Sequence, residues 1–497
     1  MNNTFLNRKT NTTLIIVLIF IYLGCICLSA LSIDSTNFLF KNQFDFIELS
    51  SAVLFIISII VGFKDIRLFV VFMVFNILAL PACVDNFSPS ILISALNDSK
   101  QVYFPMITHI DIYLVLGIIK YWDKKDRFFL DFRRLETRLF FLLLLLLVIS
   151  ITGNIFKHNN KYDISLILSH SYHLRYLLLL MLLFRNTSVI KHKKPLFIGV
   201  LVTVGFLILE SFSYSYFFYS PSRLTSGTLG HNMLANILTS ICCYFFFLII
   251  RKHIALKYLL LVLLIICSIV LTKTRSAIFL LVTYLLFELI RHIILLCKQK
   301  TKFKFSYLFF IVPSLLFISF FIYTQNERLS FHNFKIEKIN FSETSLNKII
   351  VLEQNDFNAS LILRLNHFQT SLNMINDQPL FGIGPGRWNT YKQTYGSKEL
   401  KLMDSHNDLL ATMSQYGVLT GLFLCFVIYF LPLFMVVKMK KESIILNNKM
   451  KYLFLISFVM SFTGLTNTGL FKHQIFGFLS LILILTIFNA NQLKLNK

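Results

Sequence analysis

The chain is predicted to be all-α, a polytopic membrane bundle of about 12–14 transmembrane helices with one long loop outside the membrane. Three observations point there. Hydrophobic residues make up 56% of the 497 residues and charged residues only 14%, outside the range of a soluble domain. Apolar runs of 18 or more residues recur along the chain, each long enough to cross a hydrocarbon core about 30 Å thick. Lysine and arginine alternate between successive connections, as membrane orientation demands.

In order, the runs fall at 13–32, 46–63, 67–84, 102–120, 139–156, 164–184, 196–219, 232–250, 255–272, 276–297, 305–323, 407–437, 452–470 and 473–490. The first follows Arg8-Lys9 and is too long for a typical signal-peptide core, so it reads as an uncleaved span. The last two are interrupted by Thr466-Asn467-Thr468 and Lys472-His473-Gln474. No period of about 20–50 residues stands out, which excludes a repeat array. The chain therefore reads as a single membrane domain over 1–497, with the loop 324–406 inserted between two of its helices.

A net charge of +24 would suit a nucleic-acid binder, but its distribution argues otherwise. With the N-terminus inside, 30 of the 48 lysines and arginines fall in inside connections and 17 outside, nine of those in the long loop. The charge is thus an orientation signal that places both termini in the cytoplasm and the loop outside. No nucleic-acid partner is expected. The eight cysteines lie in or at the edges of apolar segments, and no Cys-x-x-Cys occurs, so neither a disulfide nor a zinc site is expected.

Within the loop, Leu361, Leu365, Phe368, Leu372 and Ile375 recur at helical spacing, and Arg364, His367 and Ser371 form a second stripe. Asp377-Gln378-Pro379 should stop this helix, and the loop should fold down over the membrane domain. Gly382-Ile383-Gly384-Pro385-Gly386 follows without the Lys-Ser/Thr or the strand of a phosphate loop, and reads as a turn.

Three ionisable residues share the outer side: Arg223, Arg275 and His406. Arg275 opens a helix, where a cation opposes the macrodipole unless an anion is near; snorkelling to lipid headgroups is the competing reading. Lys273 sits more comfortably at the preceding helix C-terminus. His406 should lie in the first turn of the next helix, capped by Asp404 or Ser405. There the dipole favours a neutral ring able to accept a proton, although an interfacial histidine without a role has the same pattern. Gly417 and Gly421 read as close-packing positions. Inside the spans Asp111, Arg175, Glu210 and Glu288 are charged, and a structural Arg175–Glu210 pair competes with a substrate contact as the reading. His170 and His173 share a predicted helix face, but no third metal ligand is evident. No outer loop contains Asp-x-Asp, so no metal is expected.

These motifs resemble the O-antigen ligase and polymerase superfamily of bacterial envelope glycosyltransferases. His406-Asn407, nine residues and then Gly417-Val418-Leu419-Thr420 fit the ligase pattern His-[Asn/Ser/Gln]-x9-Gly-x-x-[Gly/Thr/Tyr]. Thr272-Lys273-Thr274-Arg275-Ser276 is similar to the family's Thr-x-Ser-Arg element, with Thr274 where serine is commoner. Arg223, Gly227 and His231-Asn232 match its arginine-glycine-asparagine outer loop. Arg364 and the stretch from Pro379 to Gly386 are similar to the segment before the histidine motif. The resemblance covers residues 200–440.

It implies a GT-C-like enzyme of the bacterial inner membrane, transferring a glycan from undecaprenyl diphosphate to a lipid A–core hydroxyl on the periplasmic face, with inversion and without cofactor or metal. By carry-over Arg223 and Arg275 hold the donor diphosphate and His406 activates the acceptor. Lys273, Asn232, Arg364, Asn407 and Asp404 would support them. An O-antigen polymerase and a protein O-oligosaccharyltransferase remain open, differing in acceptor. A lipid-linked glycan transporter is more remote, since it would more typically show two related halves and no long one-sided loop.

Overall fold

The computed structural model describes residues 43–80, 108–122, 132–158, 164, 167–168, 170–187, 189, 193–218, 224, 230–250, 259–297, 319, 357–396, 405–440, 464 and 469–495. The expected span 13–32, almost all of 305–323 and most of 452–470 lie outside the described residues. So do Arg223 and Asp404.

Every regular element among the described residues is a helix: α1 (Gln43–Gly62), α2 (Ile66–Leu78), α3 (His109–Tyr121), α4 (Leu135–Lys157), α5 (Tyr172–Asn186), α6 (Lys193–Phe218), α7 (Gly230–Ile250), α8 (Leu259–Leu271) and α9 (Arg275–Cys297). The loop contributes α10 (Phe357–Asp377) and α11 (Trp388–Tyr395). After it come α12 (Asp408–Tyr416), α13 (Val418–Cys425), a π-helical turn (Phe426–Phe430), α14 (Leu431–Lys440) and α15 (His473–Leu495). Among the described residues, three helical stretches are long and apolar enough to cross a membrane: Leu135–Lys157, Pro195–Phe212 and Val418–Met435. The protein is an all-α membrane protein.

The chain divides into two compact units. In the first (Met1–Val148, Ile155–Leu234 and Leu470–Lys497), α2 is buried on nearly every side and packs against α1, α3, α6 and α15. A helix apolar all round suits such a central position. Small residues let neighbours approach: Gly199 of α6 sits against the Val71 carbonyl, and Gly117 of α3 against the Phe69 ring. Phe69 and Tyr113 stack with centroids 4.9 Å apart.

Arg175 does not pair with Glu210 here. Its partner is Asp111, at 3.3 Å. The reason is local. Thr108 caps α3 with a capping box that locks the Asp111 carboxylate at the helix start, and α3 packs on α5, which carries Arg175. Thr108 Oγ1 also bonds to Tyr176 Oη (2.7 Å), which reaches His473 Nδ1 (3.1 Å). His170 and His173 do not share a helix face either: α5 begins at Tyr172, leaving His170 outside it. His173 Nε2 pairs with the Leu470 carbonyl at 2.9 Å. These buried polar side chains tie helices together in the first unit.

The second unit (Ile149–Asn154 and Ala235–Gly469) holds the loop helices. The apolar run 407–437 is not one span. Gly417, at φ 86°, breaks it, and α12 folds back along α13 and the π-helical turn. Thr412 Oγ1 reaches the Gly421 carbonyl (3.2 Å) and Cys425 Sγ (3.3 Å), and Tyr429 Oη donates to Asp408 Oδ2 (2.5 Å). The nine residues of α12 extend only about 13 Å at 1.5 Å each, too short to cross a membrane.

Candidate functional site

The hairpin explains the spacing of the histidine motif. Asn407 is the N-cap of α12, its side chain accepting a hydrogen bond from the Leu410 amide at 3.1 Å. Nine helical residues follow, and Gly417 ends the helix. A Cβ on Gly417 would fall 2.0 Å from the Leu380 carbonyl oxygen, and its φ of 86° disfavours any side chain. Gly421 packs against the backbone of Thr412 and Met413 with no room for a Cβ. His-Asn-x9-Gly is therefore a capped helix of defined length.

His406 is not in the first turn, as its sequence position suggested. It precedes the N-cap, half-buried and in left-handed conformation at φ 50°. Ser405 does not cap the helix, its hydroxyl donating instead to the Asn407 carbonyl at 2.8 Å. Asn407 outcompetes it because only its oxygen is placed for the amide of the third helical residue. His406 still stands beside the positive end of α12, whose first residue is Asp408.

The His406 ring meets the His367 ring of α10 edge to face, centroids 6.1 Å apart. His367 is fully buried and lies 5.3 Å from Trp388, whose Nε1 donates to Ser371 Oγ at 3.0 Å. The two stripes of the helix are each divided between buried and exposed residues, Ile375 buried and Arg364 exposed among them. His367, Thr370, Ser371 and Met374 face inward, whereas Leu365 and Leu372 are exposed. Polar partners on α11 and α12 select the inward face. Arg364, one turn before His367, is exposed.

Gly382-Ile383-Gly384-Pro385-Gly386 is a turn seated on the end of α12. The amides of Ile383 and Gly384 donate to the Ser414 and Gln415 carbonyls (2.9 and 3.1 Å), and that of Gly386 to Gln415 Oε1 (2.7 Å). These donors are committed to protein, so the loop is not a phosphate cradle. Ser150 and Asn154 of α4 reach the same place, donating to the Tyr416 carbonyl (2.8 Å) and the Phe381 carbonyl (2.6 Å).

Arg387 and Trp388 went unnoticed in the sequence, where both look like loop residues. Arg387 is buried, its guanidinium 4.4 Å from the Tyr391 ring centroid, with Nη2 on Tyr391 Oη and Nη1 on the Ile383 carbonyl. The spacing of four between Arg387 and Tyr391 is the signal that could have paired them. Burial lowers the Lys392 pKa. The Tyr395 phenol is pushed up to about 12, first by burial and then by its hydrogen bond to Asp377.

Lys273 and Arg275 form a second turn. Lys273 closes α8 in left-handed conformation (φ 54°), its amide on the Val270 carbonyl at 3.0 Å, and Arg275 is the first residue of α9. The Arg275 side chain lies outside the described residues, and Arg223 does entirely. Asn232 is half-buried on α7 and belongs to the first unit. Among the described residues Lys273 and His406 are the two non-glycine positions with positive φ.

A family model described as O-antigen ligase matches residues 259–425. Residues 259–425, about a third of the chain, are similar to the O-antigen ligase superfamily. This superfamily consists of glycosyltransferase-like enzymes. The matched segment contains Lys273, Arg275, Arg364, Asp404, His406 and Asn407; Arg223 and Asn232 precede it. It ends at Cys425, within the helix that α12 folds against. No curated protein matches the chain.

Proposed function

We propose that the protein is an O-antigen ligase, transferring a glycan from undecaprenyl diphosphate to a hydroxyl of the lipid A–core on the periplasmic face of the inner membrane. One observation carries the reading. The two strained non-glycine residues among those described, Lys273 and His406, both fall in the two turns that matter to such a reaction, and both lie within the matched segment. Strained backbone persists where surrounding structure holds it, and it concentrates at functional sites.

In this mechanism the acceptor hydroxyl attacks the anomeric carbon directly and inverts it, and the diphosphate leaves. His406 takes the hydroxyl proton; the positive end of α12 favours its neutral form before the step. Arg275, with Arg223, holds the diphosphate as its negative charge grows, which stabilises the transition state more than the ground state. Lys273 adds a cation to the same turn. Arg364 and Asn232 support the donor and Asp404 the acceptor side, while Asn407 holds the helix start that presents His406. No metal or cofactor takes part.

Deletion with complementation, followed by lipopolysaccharide gels, tests the assignment. Loss of a ligase leaves core without O-chain and carrier-linked polymer accumulating. Core bearing a single repeat would mean a polymerase instead, and unchanged lipopolysaccharide with lost protein glycosylation would mean a protein O-oligosaccharyltransferase.

A further inference from the structure

The backbone of His406 is held, but a held backbone does not aim the ring. The left-handed turn at φ 50° sets where the side chain leaves the chain, while χ1 keeps its staggered wells and χ2 of a histidine is broad. A general base works only with its accepting nitrogen within hydrogen-bond reach of the proton it takes. Groups of this kind are aimed by packed neighbours whose own rotamers are locked.

His367 is such a neighbour. It is fully buried in the body of α10, and its ring meets that of His406 with 6.1 Å between centroids and 84° between planes. An edge-to-face contact is directional, because the positive rim of one ring meets the negative face of the other. His367 also lies against Trp388, at 5.3 Å. The indole is pinned in turn: it is buried, packs with Met374 and Ile383, and donates from Nε1 to Ser371 Oγ at 3.0 Å. Ser371 stands one turn beyond His367, so the tryptophan is tied to the helix that carries the histidine. Asn373 Nδ2 of α10 donates to the Tyr395 carbonyl at the end of α11 (2.9 Å), and both helices pack on α12, before whose cap His406 stands. Trp388, His367 and His406 thus form a series of rings from three segments, two of them buried and the third half-buried.

We propose that His367 is a positioning residue, its ring contact holding the His406 ring in the orientation that takes the acceptor proton. The catalytic part of this rests on the reading of His406 as the base. The contact itself does not, and the two are measured separately.

The test uses the full chain in nanodiscs with two readouts: turnover with purified donor and core acceptor, and the rate at which diethylpyrocarbonate modifies His406, followed by mass spectrometry without substrate. His367→Leu removes the ring. Per folded molecule, kcat should fall about tenfold or more with donor KM little changed, and His406 should be modified about threefold faster. His367→Phe, which returns a flat ring to the same place, should recover most of both changes. If His367→Leu does not elute as the parent does, Ser371→Ala serves: it leaves all three rings, removes the acceptor of the indole N–H, and should move both readouts the same way by about twofold. A lower yield of folded protein with parental kcat and parental His406 reactivity would mean that His367 only supports the fold, and would overturn the proposal. Equal loss of kcat in the phenylalanine and leucine variants would overturn it in favour of a proton relay through the His367 nitrogens. If the parent transfers no glycan while His406 reactivity responds as expected, the contact stands and the glycosyl-transfer reading falls.

Discussion

His406 combines a reactive side chain with a backbone conformation that costs an L-residue about 1–2 kcal/mol. The two can be separated. His406→Gly relieves the left-handed strain and His406→Ala does not, so the glycine variant should be the more stable by about 1 kcal/mol while both are strongly impaired in glycan transfer. Thermal unfolding and turnover, measured on both, check this. With purified donor and core acceptor, His406→Ala should lose about 10²–10⁴-fold in turnover yet retain donor affinity, as expected on loss of a general base. Lost donor binding would move the histidine to the phosphate site. Lys273→Gly should likewise stabilise the protein, by up to about 1 kcal/mol, and should lower activity if the lysine serves the donor. In the first unit, Asp111→Ala leaves Arg175 without its carboxylate. Because Arg175 keeps a quarter of its side chain exposed, the cost should be at or below about 3 kcal/mol, read from a denaturation curve.

At the scale of elements, the hairpin of α12 and α13 depends on one residue. Gly417→Ala adds a methyl where the Leu380 oxygen already stands 2.0 Å away and where φ is positive. The strain alone is of order 1–3 kcal/mol, and the clash comes on top, so little folded protein should be recovered. Tyr429→Phe removes the donor to the buried Asp408 carboxylate and should cost about 1–3 kcal/mol without loss of the fold. The break at Gly417 was not legible in the hydropathy, which sees an unbroken apolar run from 407 to 437. What forces it is a carbonyl 37 residues earlier in the chain, at Leu380. The periodicity of α10 was legible, and its stop at Asp377 agrees with the structure. Periodicity divides a helix into faces but does not say which face meets protein. For α10, Trp388 and His406 opposite decided that, and those come from separate segments.

For the molecule as a whole, hydropathy and charge alternation made the class legible, because both follow from the bilayer and neither needs a tertiary contact. The same charge asymmetry predicts that the 324–406 loop is periplasmic and both termini are cytoplasmic. A membrane-impermeant reagent should therefore modify a cysteine placed at Ser345 in intact spheroplasts, and a C-terminal tag only after lysis. Modification of Ser345→Cys from the cytoplasmic side alone would sink the orientation. The candidate site was legible only in part. His406 and Asn407 stood out through the spacing of the histidine motif, but the cap expected at Asp404 or Ser405 lies at Asn407. The buried Arg387 and Trp388 did not, nor did the meeting of His367 with His406, since what brings them together is the folding of α10 and α11 onto α12. The partner of Arg175 was missed for a related reason: depth along a span is readable from sequence, but rotation about its axis is not.

A helix held at both ends is also a length standard. Asn407 fixes where α12 begins and Gly417 where it stops, so one residue inserted between them would turn His406 and Asp408 by about 100° about the helix axis relative to the far end. Substitutions within the nine positions can be absorbed by repacking; a change in their number cannot. Drift in this segment should consequently accept exchanges of side chain and reject single-residue insertions or deletions, and a library scoring both kinds of change side by side would display that asymmetry directly.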